Sequence, residues 1–494
     1  MRILLINPPN SIPLKWNFPL TVFQPLGLAY IAAVLEKEGY KVKILDALAL
    51  GWQNERIENG LLKIGLTPSE IEKEIKNYRP DVVGISFLFS SQEKEALMAA
   101  ELVKKIDKNI FLIAGGPHAT ILPSRLLLKS DIDCVILGEG EITTLKLINC
   151  LRKNQNWKEI NGIAFKENGK IFLTKPAPFI ENLDLLPFPA RHLLPMDLYF
   201  KAAKKIKAAR SISTFSKRWA TIITSRGCPF NCIFCSIHHV MGYKFRARSP
   251  ENVIAEIEEL VKTYKIQHLD IEDDNFTLNK ERAKKILNLM KEKKFKISWS
   301  TPNGIRADTI DEDLIKKMKE TGCIRTIVAP ESGNQFVIDE IIKKKINLEK
   351  VEEVVKWAKK YKLLVEAFFV LGFPGETINQ MEETIKFAKK LKKLGVDDCA
   401  FYLATPFYGT ELFKIVKEKK YLKEFNFDKL NTLSGEPLFE TEDFTKEDLK
   451  NLWEKAKKIN PIISKGRIKL AISLLFADPK RAFHYFFLRI LRKI

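Results

Sequence analysis

At 494 residues, with 46% hydrophobic and 29% charged side chains, the chain has a globular composition and room for two to four domains with large cores. Its formal net charge of +21 admits nucleic acid, an anionic membrane surface or anionic substrates as partners. However, Lys343-Lys344-Lys345 and Lys389-Lys390-Leu391-Lys392-Lys393 sit on predicted helices and read as solvated faces, and no aromatic-plus-basic pattern for RNA stands beside them. Of seven cysteines, Cys134, Cys150, Cys323 and Cys399 are scattered, mostly inside apolar runs, and read as small core residues. This excludes a disulfide framework and fits a reducing compartment. Met1-Arg2-Ile3-Leu4-Leu5-Ile6-Asn7-Pro8-Pro9 is too short and too soon broken for a signal peptide. With no apolar run of about 18 residues, no membrane span is expected, and the cytoplasm is the expected location.

Residues 1–145 alternate short apolar strands with helical patterns. Arg2–Asn7 reads as a strand, Leu26–Glu38 as a helix and Val42–Asp46 as a second strand. A helix ends near Tyr78, and Asp81–Ser86, Ile110–Gly116 and Cys134–Gly140 complete the series. Strands separated by helices of this length imply a parallel, doubly wound sheet, which binds ligands at the carboxyl ends of its strands. Residues 146–215 form a connector with a hairpin signal at Asn168-Gly169 and a Pro-rich stretch, Leu186-Pro187-Phe188-Pro189. From Ala220 the β/α rhythm resumes about six times, with strands near 220–226, 268–274, 297–302, 325–330, 365–371 and 399–404. The fold class is α/β: a Rossmann-like domain (1–145), the connector (146–215), a partial (β/α)6 barrel (216–430) and a helical C-terminal region (431–494).

The first barrel strand runs into Arg226-Gly227-Cys228-Pro229-Phe230-Asn231-Cys232-Ile233-Phe234-Cys235. Three thiolates so close together cannot all pair as disulfides. Their Cys-x3-Cys-x2-Cys spacing suits three irons of one 4Fe-4S cube, which leaves the fourth iron open for a chelating ligand. Zinc would need a fourth ligand, with His238 or His239 as the candidates. The loop resembles the signature of the radical S-adenosylmethionine (SAM) enzymes, whose open iron binds the amino and carboxylate groups of SAM. In that resemblance Phe234 matches the aromatic residue beside the adenine.

The strand ends that follow fit the same resemblance. Asp273, with Asp274 as second choice, would receive the SAM ammonium, and the Arg306 guanidinium suits its carboxylate. Glu331, after the fourth strand, matches the family's SAM-contacting Glu, at the ribose hydroxyls. Gly372-Phe373-Pro374-Gly375 resembles the Gly-rich loop on the adenine side, and Pro406 with Gly409-Thr410 matches the usual end of the last strand. In the first domain, Ser86-x-Leu88, 26 intervening residues and then Gly115-Gly116 resemble the cobalamin-binding Rossmann domain. There Ser and the Gly pair accommodate the nucleotide tail. The family's Asp-x-His-x-x-Gly is missing, because the segment Asn7–Pro25 has no His and the first His of the chain is His118. Asp46-Ala47-Leu48-Ala49-Leu50-Gly51 mimics its spacing after the wrong strand. The resemblance therefore implies cobalamin without a His ligand, and gives His118 a place in a loop or tail pocket.

Together these motifs, over residues 1–420, resemble the cobalamin-binding radical SAM enzymes. That likeness implies a 5′-deoxyadenosyl radical that takes hydrogen from an unactivated carbon, which then receives methyl from methylcobalamin. It also implies a flavodoxin- or ferredoxin-type electron donor. The alternative of the same build is a ring-forming or oxidative cyclase acting on a tetrapyrrole or lipid-like substrate. A tRNA methylthiotransferase would need a second Cys triad that Cys134 and Cys150 do not supply. A cofactor-binding sensor would not need the intact Cys, Asp, Arg and Glu positions. The tail from Lys465 onward is basic and rich in large apolar residues. It suits either a cap on the barrel or peripheral contact with the anionic inner face of a membrane, near a lipid-like substrate. The substrate is otherwise a small molecule with no sequence signature.

Overall fold

The computed structural model describes residues 1–13, 22–204, 217–422 and 435–460. The basic tail beyond residue 460 lies outside them. The chain divides into two compact units, the first holding Met1–Pro229 with Ser236–His268 and the second Phe230–Cys235 with the described residues from Leu269 onward.

The first unit is built on a seven-stranded sheet. Its strands are β1 (Arg2–Asn7), β2 (Lys41–Asp46), β3 (Val82–Ser86), β4 (Phe111–Gly115), β5 (Cys134–Ile136), β6 (Ile163–Glu167) and β7 (Lys170–Leu173), in the order β7-β6-β5-β4-β3-β1-β2. The strands β1 to β5 are parallel, and β6 and β7 form an antiparallel hairpin at the β5 edge. Its turn is Asn168-Gly169, both at positive φ, as a two-residue hairpin loop requires. Parallel strands covered on both faces must be apolar on both faces, and β1 shows the alternation. Ile3 and Leu5 enter one core cluster with Ala29, Ala32 and Leu147, whereas Leu4 and Ile6 enter another with Ile71, Ala96 and Val103. The order β2-β1-β3 reverses the winding at β1, so ligands are expected beyond the carboxyl ends of β1 and β3. A small antiparallel sheet, Asn10–Pro13, Leu61–Ile64 and Glu55–Glu58, was not visible in the apolar periodicity.

A second sheet runs in chain order through six strands: β8 (Trp219–Ile222), β9 (His268–Ile271), β10 (Ser298–Ser300), β11 (Cys323–Glu331), β12 (Leu364–Leu371) and β13 (Asp398–Leu403). The pairs from β10 to β13 are parallel, with helices between successive strands. Strict alternation governs β12, where Val365, Ala367, Phe369 and Leu371 are buried and Glu366, Phe368 and Val370 are half-buried on the other face. The helix Lys446–Lys457, started by a Thr445 capping box, covers the edge strand. Trp453 Nε1 donates to Phe401 O at 2.9 Å, and the Cys399 amide donates to Asn460 Oδ1 at 2.9 Å. Blocking an edge this way removes a template for unwanted strand pairing. Among the described residues no helix is long and apolar enough to cross a membrane.

One charge run departs from expectation. Lys389–Lys393 lies on the helix Ile378–Leu394, but Lys343–Lys345 is irregular backbone and Lys344 is buried.

Candidate active site

At the carboxyl edge of the first sheet, the ends of β3 and β4 are stitched together. Ser86 pairs with Gly115 in register. The Phe87 amide donates to Gly115 O at 2.7 Å, and the His118 amide to Phe87 O at 3.0 Å. Gly116 has φ +110°, and a Cβ there would stand 2.7 Å from Phe87 O, so the turn requires glycine. Beside Gly115 a Cβ would meet nothing closer than Ile136 Cβ at 3.8 Å. Ser86, Gly115 and Gly116 thus meet at adjacent strand ends, with half-buried Leu88 two residues on. A glycine at a strand end where packing alone would accept a Cβ fits the close approach of a ligand tail. His118 is buried with both ring nitrogens engaged, Nδ1 with Ser90 Oγ at 3.0 Å and Nε2 with Glu93 Oε2 at 2.8 Å. Burial alone would raise the Glu93 carboxyl, but His118 and Arg125 outweigh it and hold it down to about 2. His118 is therefore a loop anchor. Leu48, at the pseudo-His position, is in the core.

The stem of the cysteine loop belongs to this unit. Ser225-Arg226 pairs antiparallel with Arg246-Ala247, the Cys228 amide donates to Gly242 O at 3.3 Å, and His238 Nε2 lies 3.0 Å from Cys228 O. The stem is bolted to the loop after β5 by a buried charge cluster that local sequence patterns do not reveal. Arg226 reaches Glu139 at 2.9 Å and Glu141 at 2.6 Å, while Arg246 Nη1 reaches both Glu139 oxygens at 2.9 and 2.8 Å.

The rest of the loop, Phe230–Cys235, belongs to the second unit, where its neighbours are the barrel groups expected from sequence. Phe230 stacks under the Arg306 guanidinium at 3.4 Å, and the Phe234 ring lies 6.0 Å from that of Phe373 in the Gly-rich loop. The Ile233 amide donates to Ile342 O at 3.1 Å, and Ile233 O accepts from the Leu412 amide at 2.8 Å. A turn closes Cys235 N onto Cys232 O at 3.0 Å. Among the described residues no three His, Cys, Asp or Glu side chains gather at single-ion spacing. A 4Fe-4S cube makes a different demand, because each thiolate meets its own iron and the sulfurs stand farther apart. Three thiols on one short loop, with the loop backbone fixed on several sides, fit that donor set.

After β9, Asp273 is buried, whereas Asp274 is exposed. Although part of the Asp274 side chain reaches solvent, the protein crowded around its carboxyl, followed by the Asp273 charge, pushes it up to about 7. Asn275, which sequence reasoning passed over, is buried with neither amide atom hydrogen-bonded. Such an orphan at a strand end calls for a water or ligand partner. Asn303 Nδ2 donates to Glu272 O at 2.8 Å, tying this loop to the one that carries Arg306. Arg306 is more occupied than a bare carboxylate receptor would be. Its Nε and Nη2 bind Asp308 at 3.0 and 2.8 Å, and Nη2 also reaches Lys344 O at 3.1 Å and Lys345 O at 3.3 Å. Glu331 ends β11 at φ +66° and pairs with Lys344 Nζ at 2.6 Å. In the Gly-rich loop, Gly372 and Gly375 have φ +87° and +86°. Glu376 beneath it is fully buried and accepts from the Gly372 and Phe373 amides at 2.9 and 3.1 Å. Burial still pushes its carboxyl up to about 8.

Residues 222–388 match the family model of the Radical SAM superfamily, and residues 20–148 that of the B12 binding domain. The chain is 37% identical to the uncharacterized methyltransferase PH0819 of Pyrococcus horikoshii over 92% of its own length and 91% of the relative. It is 35% identical to cytidylyl-2-hydroxyethylphosphonate methyltransferase of Streptomyces wedmorensis, over 84% of this chain and 81% of that one. Its fold is similar to that of the cobalamin-dependent SAM radical enzyme OxsB, solved with aqua-cobalamin and SAM bound, at a TM-score of 0.72 and 17% identity, over 92% of this chain and 66% of that one. The chain belongs to the radical SAM superfamily, among the enzymes of that superfamily that carry a B12-binding domain.

Proposed function

We propose that the chain is a cobalamin-dependent radical SAM methyltransferase that places a methyl group on an unactivated carbon of a small molecule. The observation that carries this reading is the seat of the cysteine loop, which packs Phe230 against Arg306 and Phe234 against Phe373. Methyl transfer is favoured over ring formation because the Pyrococcus horikoshii and Streptomyces wedmorensis relatives, at 37% and 35% identity, are named methyltransferases.

In this reading Cys228, Cys232 and Cys235 hold a 4Fe-4S cluster whose open iron takes SAM. Ser86, Leu88, Gly115 and Gly116 receive the cobalamin tail, with no His on the cobalt. When bound, these groups supply one-electron cleavage of SAM and methyl transfer through cobalt. The protein's part is positioning. Asp273, or Asp274 in its ionised form, meets the SAM ammonium. Arg306, with Nε and Nη2 already engaged, turns Nη1 rather than a two-pronged face to the carboxylate. Glu331 accepts from the ribose hydroxyls, and the Gly372–Gly375 turn with Phe234 flanks the adenine. Electrons come from a flavodoxin- or ferredoxin-type donor. Membrane contact through the basic tail is a separate expectation, tested by co-sedimentation with anionic vesicles.

The test is anaerobic turnover with methyl-labelled SAM, cobalamin and a flavodoxin reducing system, with cytidylyl-2-hydroxyethylphosphonate as the first candidate substrate. Label in a product carbon supports the reading. Formation of 5′-deoxyadenosine and a product without label would move the chain to the cyclase alternative.

A further inference from the structure

Lys344 was expected on a solvated helical face, and it is instead among the most deliberately placed side chains of the second unit. Both neighbours, Lys343 and Lys345, have left-handed backbone, with φ +60° and +52°. Non-glycine residues adopt this conformation at a cost, and two of them flanking one residue turn that residue inward. Lys344 is 8% exposed, and its ammonium lies 2.6 Å from Oε1 of Glu331, which is 7% exposed and itself left-handed at φ +66°. Three strained residues and two buried charges thus serve one ion pair at the carboxyl end of a barrel strand, the end where barrel active sites lie.

The segment around Lys344 is also tied to the cysteine loop. Ile342 O accepts from the Ile233 amide at 3.1 Å, between Cys232 and Cys235. Lys344 O and Lys345 O accept from Arg306 Nη2, and the same guanidinium lies over Phe230. Lys343 itself points outward to Glu411 at 2.6 Å. One short segment therefore touches the loop backbone, the Arg306 guanidinium and the Glu331 carboxylate.

We propose that Lys344 is a positioning residue for SAM, fixing the Glu331 carboxylate in place and aimed at the ribose hydroxyls while its own segment registers that carboxylate against the cysteine loop. The inference rests on the reading of the loop as a cluster site. Without Lys344 a buried carboxylate would lose the partner that fixes its direction, and a carboxylate free to turn away accepts less well from a diol at a set position.

The experiment uses the full chain with its cluster reconstituted. SAM affinity is read from the change that SAM causes in the electron paramagnetic resonance of the reduced cluster, and iron content and melting temperature are recorded for each variant. Lys344→Met is predicted to keep the iron of the parent and to weaken SAM about tenfold or more. In the Glu331→Gln background, Lys344→Met is predicted to weaken SAM by no more than about twofold, because the group it acts through is gone. The double variant removes both buried charges and guards against a single variant that does not fold. Unchanged SAM affinity in Lys344→Met, an equal further loss in the Glu331→Gln background, or loss of iron in step with SAM binding would each overturn the proposal. If the parent cluster does not respond to SAM at all, the cluster reading falls first and this inference falls with it.

Discussion

Adjacent glycines at the end of β4 do different work. At Gly116 the left-handed turn and the 2.7 Å approach to Phe87 O leave no place for a Cβ, so Gly116→Ala should destabilise the fold by about 1–3 kcal/mol in a urea melt. At Gly115 the nearest atom to a Cβ is 3.8 Å away, so Gly115→Ala should melt like the parent yet retain less cobalamin after gel filtration. Equal cobalamin retention would show that the tail does not lie against Gly115. Glu376 makes a pH prediction. Burial raises its folded-state value to about 8, opposed by the amides of Phe373 and Gly372, so the folded protein holds a proton that the unfolded chain releases near the ordinary Glu value. That contribution is complete below the ordinary value and is lost as pH rises towards 8. The second unit should therefore lose on the order of 2 kcal/mol between pH 6 and pH 8, and Glu376→Gln should flatten that slope in melts across the range.

The cysteine loop is an element whose two ends are held by different means. Its stem depends on Glu139, which faces Arg226 and Arg246 together. Removing that carboxylate leaves two buried guanidinium groups short of a partner, so Glu139→Ala should cost about 3–5 kcal/mol. The cost should appear in urea melts and as faster proteolysis near Arg226. A loss under about 1 kcal/mol would mean that the cluster does not hold the stem. The outer part of the loop depends on backbone bonds from Ile233 and on the Phe230–Arg306 stack, a stack worth about 0.5–2 kcal/mol. These two means of support explain what was legible beforehand. Strand and helix periodicity revealed β1 to β5 and the barrel strands, because parallel strands carry their burial in local sequence. Glu139 and Arg226 are separated by 87 positions, and no local pattern links them. Lys344 was misread for a related reason: a Lys triplet next to an apolar helix looks solvated unless the left-handed backbone that turns the middle residue inward is seen.

Across the whole molecule, the motifs visible in sequence come from both units, with Ser86, Gly115, Gly116 and Cys228 in the first and the remaining barrel residues in the second. Asn275 and Lys344 were not visible, since each is defined by three-dimensional burial rather than by residue type. Family membership agrees with the motif reading, and the departures are informative. No His stands between Asn7 and Pro25, and His118 is committed to Ser90 and Glu93. Whether one chain holds both a SAM-binding cluster and a His-free cobalamin is read most directly by electron paramagnetic resonance of the anaerobic, cobalamin-loaded, dithionite-reduced protein, with and without SAM. The expected result is a cluster signal that shifts when SAM is added, and a cob(II)alamin signal without nitrogen superhyperfine splitting. A cluster indifferent to SAM, or a cobalt signal split by a protein nitrogen, would contradict it.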